Sequence, residues 1–295
     1  MKKLIAIEGT NASGKSGLGV VLAGRFSGEI VSADSRQVFR GLDLGSGKIR
    51  PEEMKGIPHH LIDVAEPNDF FSMRDFQLLA CEAIDSIHSR GRVPFLVGGT
   101  GLYLECVTEG YVLSDKAPDL AYRAELEELT TPELYRRLTE LRPQIDVDPK
   151  NRNRVMRILE KIHDGDEAPP GRRARYDCLK LGVTWPREEL RRRIDERLEK
   201  RLREGMIEEV EALRKNGATD EFLLKLGLEY RFITRYLNGE FASLEEMKQL
   251  LATAIKQFAK RQMIWFRRDP SIRWLDMAGD PEAQASELIA AFLRT

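Results

Sequence analysis

Over the first hundred residues, short continuous apolar runs alternate with longer stretches whose apolar positions recur at helical spacing. Leu4-Ile5-Ala6-Ile7, residues 29–32 and residues 93–97 read as strands, and residues 17–26 and 72–89 as helices. Strands that are apolar throughout belong in parallel sheets covered by helices on both faces. The helix near Ser72 opens on the capping pattern Ser72-x-x-Asp75, carries Phe76, Leu79, Ala80, Ala83, Ile84 and Ile87 on one face, and stops near Gly91. Ligands of open parallel sheets bind beyond the carboxyl ends of the strands, so residues 9–16, 33–37 and 98–103 should meet in one crevice.

After about Ser114 the pattern changes to highly charged helices, interrupted by Pro143, Pro149 and the break Gly165-Asp166-Glu167-Ala168-Pro169-Pro170-Gly171. A strand at 178–184 marks the return to the sheet. A helix opened by Pro186 then runs to about Gly217, with Leu190, Ile194, Leu198 and Leu202 in one line. Arg193 and Arg197, four apart, share the adjacent face and can point together at an anion. A last helical segment spans 244–268. The expected organisation is a core of residues 1–113 and 177–295 with a helical insertion at 114–176.

The first strand runs into Gly9-Thr10-Asn11-Ala12-Ser13-Gly14-Lys15-Ser16, a P-loop in its strand-to-helix context. Its glycines turn backbone N–H groups inward, the following helix presents a partially positive end, and Lys15 adds a full charge. Ser16 can ligate Mg2+. The loop therefore grips a diphosphate or triphosphate, and the fold class is α/β, a P-loop nucleoside-triphosphate-hydrolase-like core with its parallel sheet flanked by helices.

Composition narrows the setting. Cys81, Cys106 and Cys178 are odd in number and lack metal-ligand spacing, which argues for a reducing compartment and against a zinc site. No charged-then-apolar leader precedes the first strand, and no run approaches the roughly 20 apolar residues of a membrane span. The expectation is a soluble, cytoplasmic protein. With 47 Lys and Arg against 48 Asp and Glu, net charge is −1, so global charge announces no nucleic-acid partner. Basic residues nevertheless cluster at 152–157, 172–175, 191–203 and 256–268, and acidic ones at 125–128 and 280–287, leaving either a polyanion-binding face or ordinary solvated helix faces.

In P-loop kinases a further strand ends in a carboxylate that positions magnesium. Here Val97 runs instead into Gly98-Gly99-Thr100-Gly101-Leu102-Tyr103. Asp34, in Ser32-Ala33-Asp34-Ser35, follows the second strand and falls beside the P-loop, where it is the best-placed general base, against an N-cap or a water-mediated magnesium partner.

Taken together, these blocks resemble the tRNA dimethylallyltransferases, also called tRNA isopentenyltransferases. The matching stretches are the P-loop, Ser32-Ala33-Asp34-Ser35, Gly41-Leu42-Asp43-Leu44-Gly45, Pro58-His59-His60-Leu61-Ile62-Asp63, residues 97–103, Arg187-Glu188-Glu189-Leu190 and Ala259-Lys260-Arg261-Gln262. The resemblance spans nearly the whole chain. It implies transfer of a dimethylallyl group from dimethylallyl diphosphate to the N6 amine of the adenosine beside the anticodon of tRNA, with Mg2+ as cofactor. A monomer is the expectation, though no residue pattern fixes the oligomeric state. The resemblance further implies that residues 9–16 hold the diphosphate, that Asp34 is the base, that Thr100 aims the amine, and that Lys15, Ser16 with magnesium, and Arg197 stabilise the leaving group. On the tRNA side it implies Asp34, Ser35, Arg36, Gln37, Thr100, Arg123, Asn153, Arg154, Val155, Met156 and Arg157.

Trp265 and Phe266, interleaved with cations, either stack bases or cover the core; core packing is the expectation. His59 and His60 read as structural. The chain departs from the family pattern at Thr10-Asn11, at Gly45-Ser46-Gly47-Lys48, at Leu226-Gly227-Leu228-Glu229-Tyr230, and after Arg157, where a usual turn is missing. Two other readings remain open: a small-molecule or nucleotide kinase, and a nucleotide-dependent RNA-binding protein without prenyl chemistry.

Overall fold

The apolar run at residues 4–7 is the centre of β1 (Lys2–Gly9), buried from Leu4 onward in the computed structural model, which describes residues 1–114, 119–166 and 171–295. The P-loop follows and leads into α1 (Lys15–Arg25), then β2 (Gly28–Ala33), the two-residue β3 (His59–His60), α2 (Met73–Ser89), β4 (Val93–Gly98) and α3 (Gly101–Thr108). The capping box at Ser72 forms as its spacing predicts, with Ser72 and Asp75 each bonding the other's backbone N–H.

These elements belong to a unit made of Met1–Gly110 and Ala174–Thr295. The unit Tyr111–Arg173 is separate: β5 (Tyr111–Val112) pairs antiparallel with β6 (Gly171–Arg172), and between them lie α4 (Leu120–Glu128), α5 (Thr131–Leu141) and α6 (Arg152–His163). Leu126, Leu134, Leu138, Val155, Met156 and Leu159 form its core. Of the break expected at 165–171, Glu167, Ala168, Pro169 and Pro170 lie outside the described residues.

The larger unit resumes with β7 (Tyr176–Thr184), then α7 (Arg187–Arg203), α8 (Met206–Lys215), α9 (Asp220–Leu226), α10 (Leu228–Leu237), α11 (Leu244–Phe266), β8 (Arg273–Asp276) and α12 (Pro281–Arg294). The single helix expected from Pro186 to Gly217 is two, because Gly205 takes φ 101° between them, a left-handed conformation that ends a helix. The final strand and helix lie beyond the last segment that periodicity had marked.

The sheet order is β3-β2-β4-β1-β7-β8, all parallel. Ile5, Ile7, Phe95, Val97, Leu181 and Val183 pack against α1 and α12. The alternate positions Leu4, Ala6 and Leu96 point to the other face, where α2 and α3 lie and Phe76 stacks on Tyr103 at 4.0 Å. A second apolar layer joins α7 to α11 with Val38, Phe39 and Leu42. No helix among the described residues is long and apolar enough to cross a membrane.

Candidate active site

The carboxyl ends of β1, β2 and β4 converge, as parallel topology requires. Gly9 ends β1 where a side chain would run into Val183 and the Ser13 hydroxyl, at 2.5 and 2.7 Å from its first carbon. Ala12 and Gly14 take φ of 60° and 88°, folding the loop back over itself before α1 starts. A cavity of about 480 Å³ opens above it, lined by Asn11 through Gly17, Asp34, Gln37, Gly47, Arg193 and Arg197. Of the eight residues expected to hold a diphosphate, Gly9 and Thr10 are not in this lining. Both are buried beneath it, and the Thr10 carbonyl instead accepts a hydrogen bond from Lys15 Nζ at 3.2 Å.

Cations gather on this cavity. Desolvation lowers Lys15 to about 8, Asp34 opposing the shift and Arg197 and Arg201 adding to it. Desolvation also lowers Arg197, and its neighbour Arg201 pushes the same way. Arg193 and Arg197 come together as their spacing predicts: Arg193 Nε donates to the Ala12 carbonyl at 3.0 Å, and its guanidinium lies 4.6 Å above the Trp185 ring. Trp185 in turn donates to the Ser13 carbonyl at 2.9 Å, so α7 and the residues before it brace the loop. The Ser13 hydroxyl is buried without a protein partner. A cradle with a spare hydroxyl and two desolvated cations, Lys15 and Arg197, at the start of a helix is built for a compact polyanion.

A second cavity, about 340 Å³, is lined by Asn11, Asp34, Ser35, Arg36, Thr100, Phe258, Arg261, Gln262 and Trp265, among others. Asn11 and Asp34 line both cavities. Asp34 Oδ1 accepts from the Arg36 backbone N–H at 3.0 Å, which fixes the turn after β2. Thr100 Oγ1 accepts from the Ser35 N–H at 3.1 Å, tying the end of β4 to that turn. Gly98 permits the approach, since a side chain there would begin 2.0 Å from the Ala33 carbonyl oxygen. Arg36 Nε donates to the Leu226 carbonyl at 3.1 Å, and Gln37 Nε2 to the Gly47 carbonyl at 3.3 Å.

The smaller unit carries the remaining expected tRNA contacts. Val155 and Met156 are buried in its core and present nothing to a partner, a correction that follows from the helical period: they fall on the inward stripe of α6 while Asn153 and Arg154 fall on the exposed one. Arg123 and Arg157 converge on the buried Glu160, at 3.2 and 3.0 Å.

Three residues have parts that spacing alone did not assign. Gln262, on the buried side of α11, accepts from the Asn11 N–H at 3.1 Å and donates to the Gly99 carbonyl at 2.8 Å, clamping the P-loop to the Thr100 loop. Trp265 is not core: it lines the second cavity, its Nε1 has no partner, and Gly101 leaves it room. Phe266 is buried, as expected, and borders the same cavity. Arg201 continues the Arg193, Arg197 series by one more turn, the one signal that pointed to it. His59 and His60 bond the Ile57 carbonyl and Glu29, and no cluster of three His, Cys, Asp or Glu fit for a metal occurs among the described residues.

The sequence profile described as IPP transferase matches residues 37–269. The chain belongs to the IPP transferase family. Within it, the chain is 45% identical to tRNA dimethylallyltransferase 2 of Citrifermentans bemidjiense, over 97% of this chain and 95% of that protein. The solved tRNA isopentenylpyrophosphate transferase of Bacillus halodurans superposes with a TM-score of 0.78 at 38% identity, covering 100% of this chain and 97% of that one. A eukaryotic dimethylallyltransferase described as acting on tRNA gives a TM-score of 0.76 at 27% identity, over 94% of this chain and 74% of that one. Membership makes the chain a transferase and disfavours the kinase reading. The structure agrees with that: β4, one of the two neighbours of β1 in the sheet, ends at Gly98 and is followed by Gly99, where a kinase carries its carboxylate.

Proposed function

We propose that this protein transfers the dimethylallyl group of dimethylallyl diphosphate to the exocyclic N6 amine of the adenosine adjacent to the anticodon in tRNA. One observation carries the reading: a cationic cradle and a second, smaller pocket with an aromatic wall share Asp34 in their linings. A prenyl diphosphate lies with its anion on Asn11–Ser16, Lys15 and Arg197, and an adenine extruded from a single-stranded loop enters the second pocket, at lower unstacking cost than from a duplex.

The amine is a weak nucleophile because its lone pair is delocalised into the ring. As its nitrogen bonds to the allylic carbon, the carbon–oxygen bond to diphosphate breaks, and the amine proton passes to Asp34. Thr100, held by the Ser35 N–H, aims the amine. Lys15 and Arg197 meet the charge that grows on the departing oxygen, where electrostatic stabilisation is worth most. Mg2+ would suit the oxygen donors available, the Ser16 hydroxyl together with the diphosphate, because it retains water and phosphate ligands rather than an all-protein cage, and when bound it would neutralise diphosphate charge. Ser35, Arg36 and Gln37 hold the acceptor side, and Asn153, Arg154 and the cationic faces of Arg123 and Arg157 meet the tRNA backbone. The working unit we propose is a monomer.

The test is direct. Purified protein, dimethylallyl diphosphate, Mg2+ and unmodified tRNA are incubated, and the digested nucleosides are weighed. One adenosine heavier by a single prenyl group is expected. Unchanged nucleosides with retained tRNA binding would leave a binding protein instead.

A further inference from the structure

We infer that Arg201 is a further anion-binding residue of the cradle, forming with Arg197 a paired-guanidinium seat for the diphosphate leaving group. The inference rests on the prenyl-diphosphate reading above and adds to it a residue that neither motif nor spacing had assigned.

The loop at 43–47 is held rigidly toward α7. The Glu209 carboxylate accepts the backbone N–H groups of Asp43, Leu44 and Gly45 at 3.1, 2.6 and 3.0 Å. The Tyr230 hydroxyl donates to the same carboxylate at 2.9 Å and accepts from the Ser46 N–H at 3.1 Å. Gly47, with φ 64°, is thereby presented to α7. A single carbon added at Gly47 would overlap both Arg201 Nη2, at 1.5 Å, and Arg197 Nη2, at 2.1 Å, so the two guanidinium groups are themselves nearly in contact. Arg197 has the Gly47 carbonyl at 3.5 Å, the limit of a hydrogen bond. Arg201 has Glu229, at 4.0 Å, as its ion-pair partner, and its side chain is only 12% exposed.

Two cations pressed together in a partly desolvated site repel each other, and Lys15 adds to the repulsion from the cradle floor. Glu229, Asp34 and Glu209 attract Arg201, but they do not offset its desolvation, and only Glu229 comes within 4.0 Å of it. A diphosphate, accepting several hydrogen bonds between planar donors, does offset it. A small cavity of about 20 Å³ is lined by Arg197, Arg201, Glu229 and Ser46 among others, and Arg197, Ser46, Asn11 and Ala12 also line the cradle, so Arg201 adjoins the anion site through Arg197.

The experiment is calorimetric titration of inorganic diphosphate with Mg2+ into the full-length protein and its Arg201→Met variant. Binding to the variant should be weaker by about tenfold or more, with tRNA affinity unchanged. Equal diphosphate affinity in variant and parent overturns the role of Arg201, as does an equal loss of tRNA binding, which would mark general damage. A parent that binds no diphosphate overturns the cradle reading itself, a separate result. If Arg201→Met does not fold, Glu229→Gln decides: relieving Arg201 of its competing carboxylate should tighten diphosphate binding several-fold, and unchanged or weaker binding overturns the inference.

Discussion

Lys15 and Asp34 face the same cavity with opposite tasks, and substituting each should separate them. Asp34→Asn keeps shape and hydrogen bonding but cannot take a proton, so tRNA binding should persist while single-turnover prenylation falls by about 10²–10⁴. Parental rates in that variant would remove Asp34 from the chemistry. Lys15→Met deletes charge where the leaving group develops it, and should cost about 10²–10³ or more, with weaker diphosphate binding besides. The lowered pKa of Lys15 adds a pH dependence. Below about 8 the ammonium is charged in the ligand-free protein, and above it the cradle loses one cation. Diphosphate affinity measured at constant ionic strength should therefore decline as pH rises through that value, and the decline should vanish in Lys15→Met. A flat profile in the parent would mean that Lys15 stays protonated throughout.

Elements bring these groups within reach through a few contacts far apart in sequence. The helix α11 contributes Gln262, whose two hydrogen bonds join the P-loop to the loop after β4. Gln262→Leu preserves bulk but leaves the Asn11 N–H and the Gly99 carbonyl without these partners, a loss of about 1–3 kcal/mol for each group left buried and unpaired. Thermal unfolding should shift downward, and turnover should fall more than tRNA affinity, because the distance between cradle and Thr100 is no longer fixed. Retained turnover with lowered stability would make Gln262 a purely structural strut. The break at Gly205 matters in the same way, since it turns α8 so that Glu209 reaches the 43–45 turn.

For the molecule as a whole, near-balanced charge means that attraction for tRNA comes from local patches rather than from a global field. Binding should still weaken steeply with salt, because each phosphate contact releases counterions. Arg154 is exposed on α6, and Arg261 lines the second cavity. Arg154→Ala and Arg261→Ala should each reduce the log–log salt slope of tRNA binding by about 1. A slope left intact by Arg154→Ala would assign that residue to an ordinary solvated face.

Local information sufficed for much of this protein. Continuous apolar runs specify buried parallel strands, and the P-loop and Asp34 each sit at a strand's carboxyl end, so the chain order alone brings them to one edge of a sheet. The capping box at Ser72 and the Arg193, Arg197 pair needed only the helical repeat. Other features had no local signature. That Gln262 clamps two loops, that Trp265 is left half-buried on a cavity wall while Phe266 beside it is buried, and that Arg201 meets Gly47 depend on where α7 and α11 lie against the sheet. Val155 and Met156 show the converse: a motif marks a stretch of chain, but the packing of α6 chooses which of its side chains turn inward. Hydrogen bonds and burial along one segment are set by neighbours in sequence, whereas contacts between segments are set by packing of the entire chain, and it is there that cradle, carboxylate and pocket become a single site.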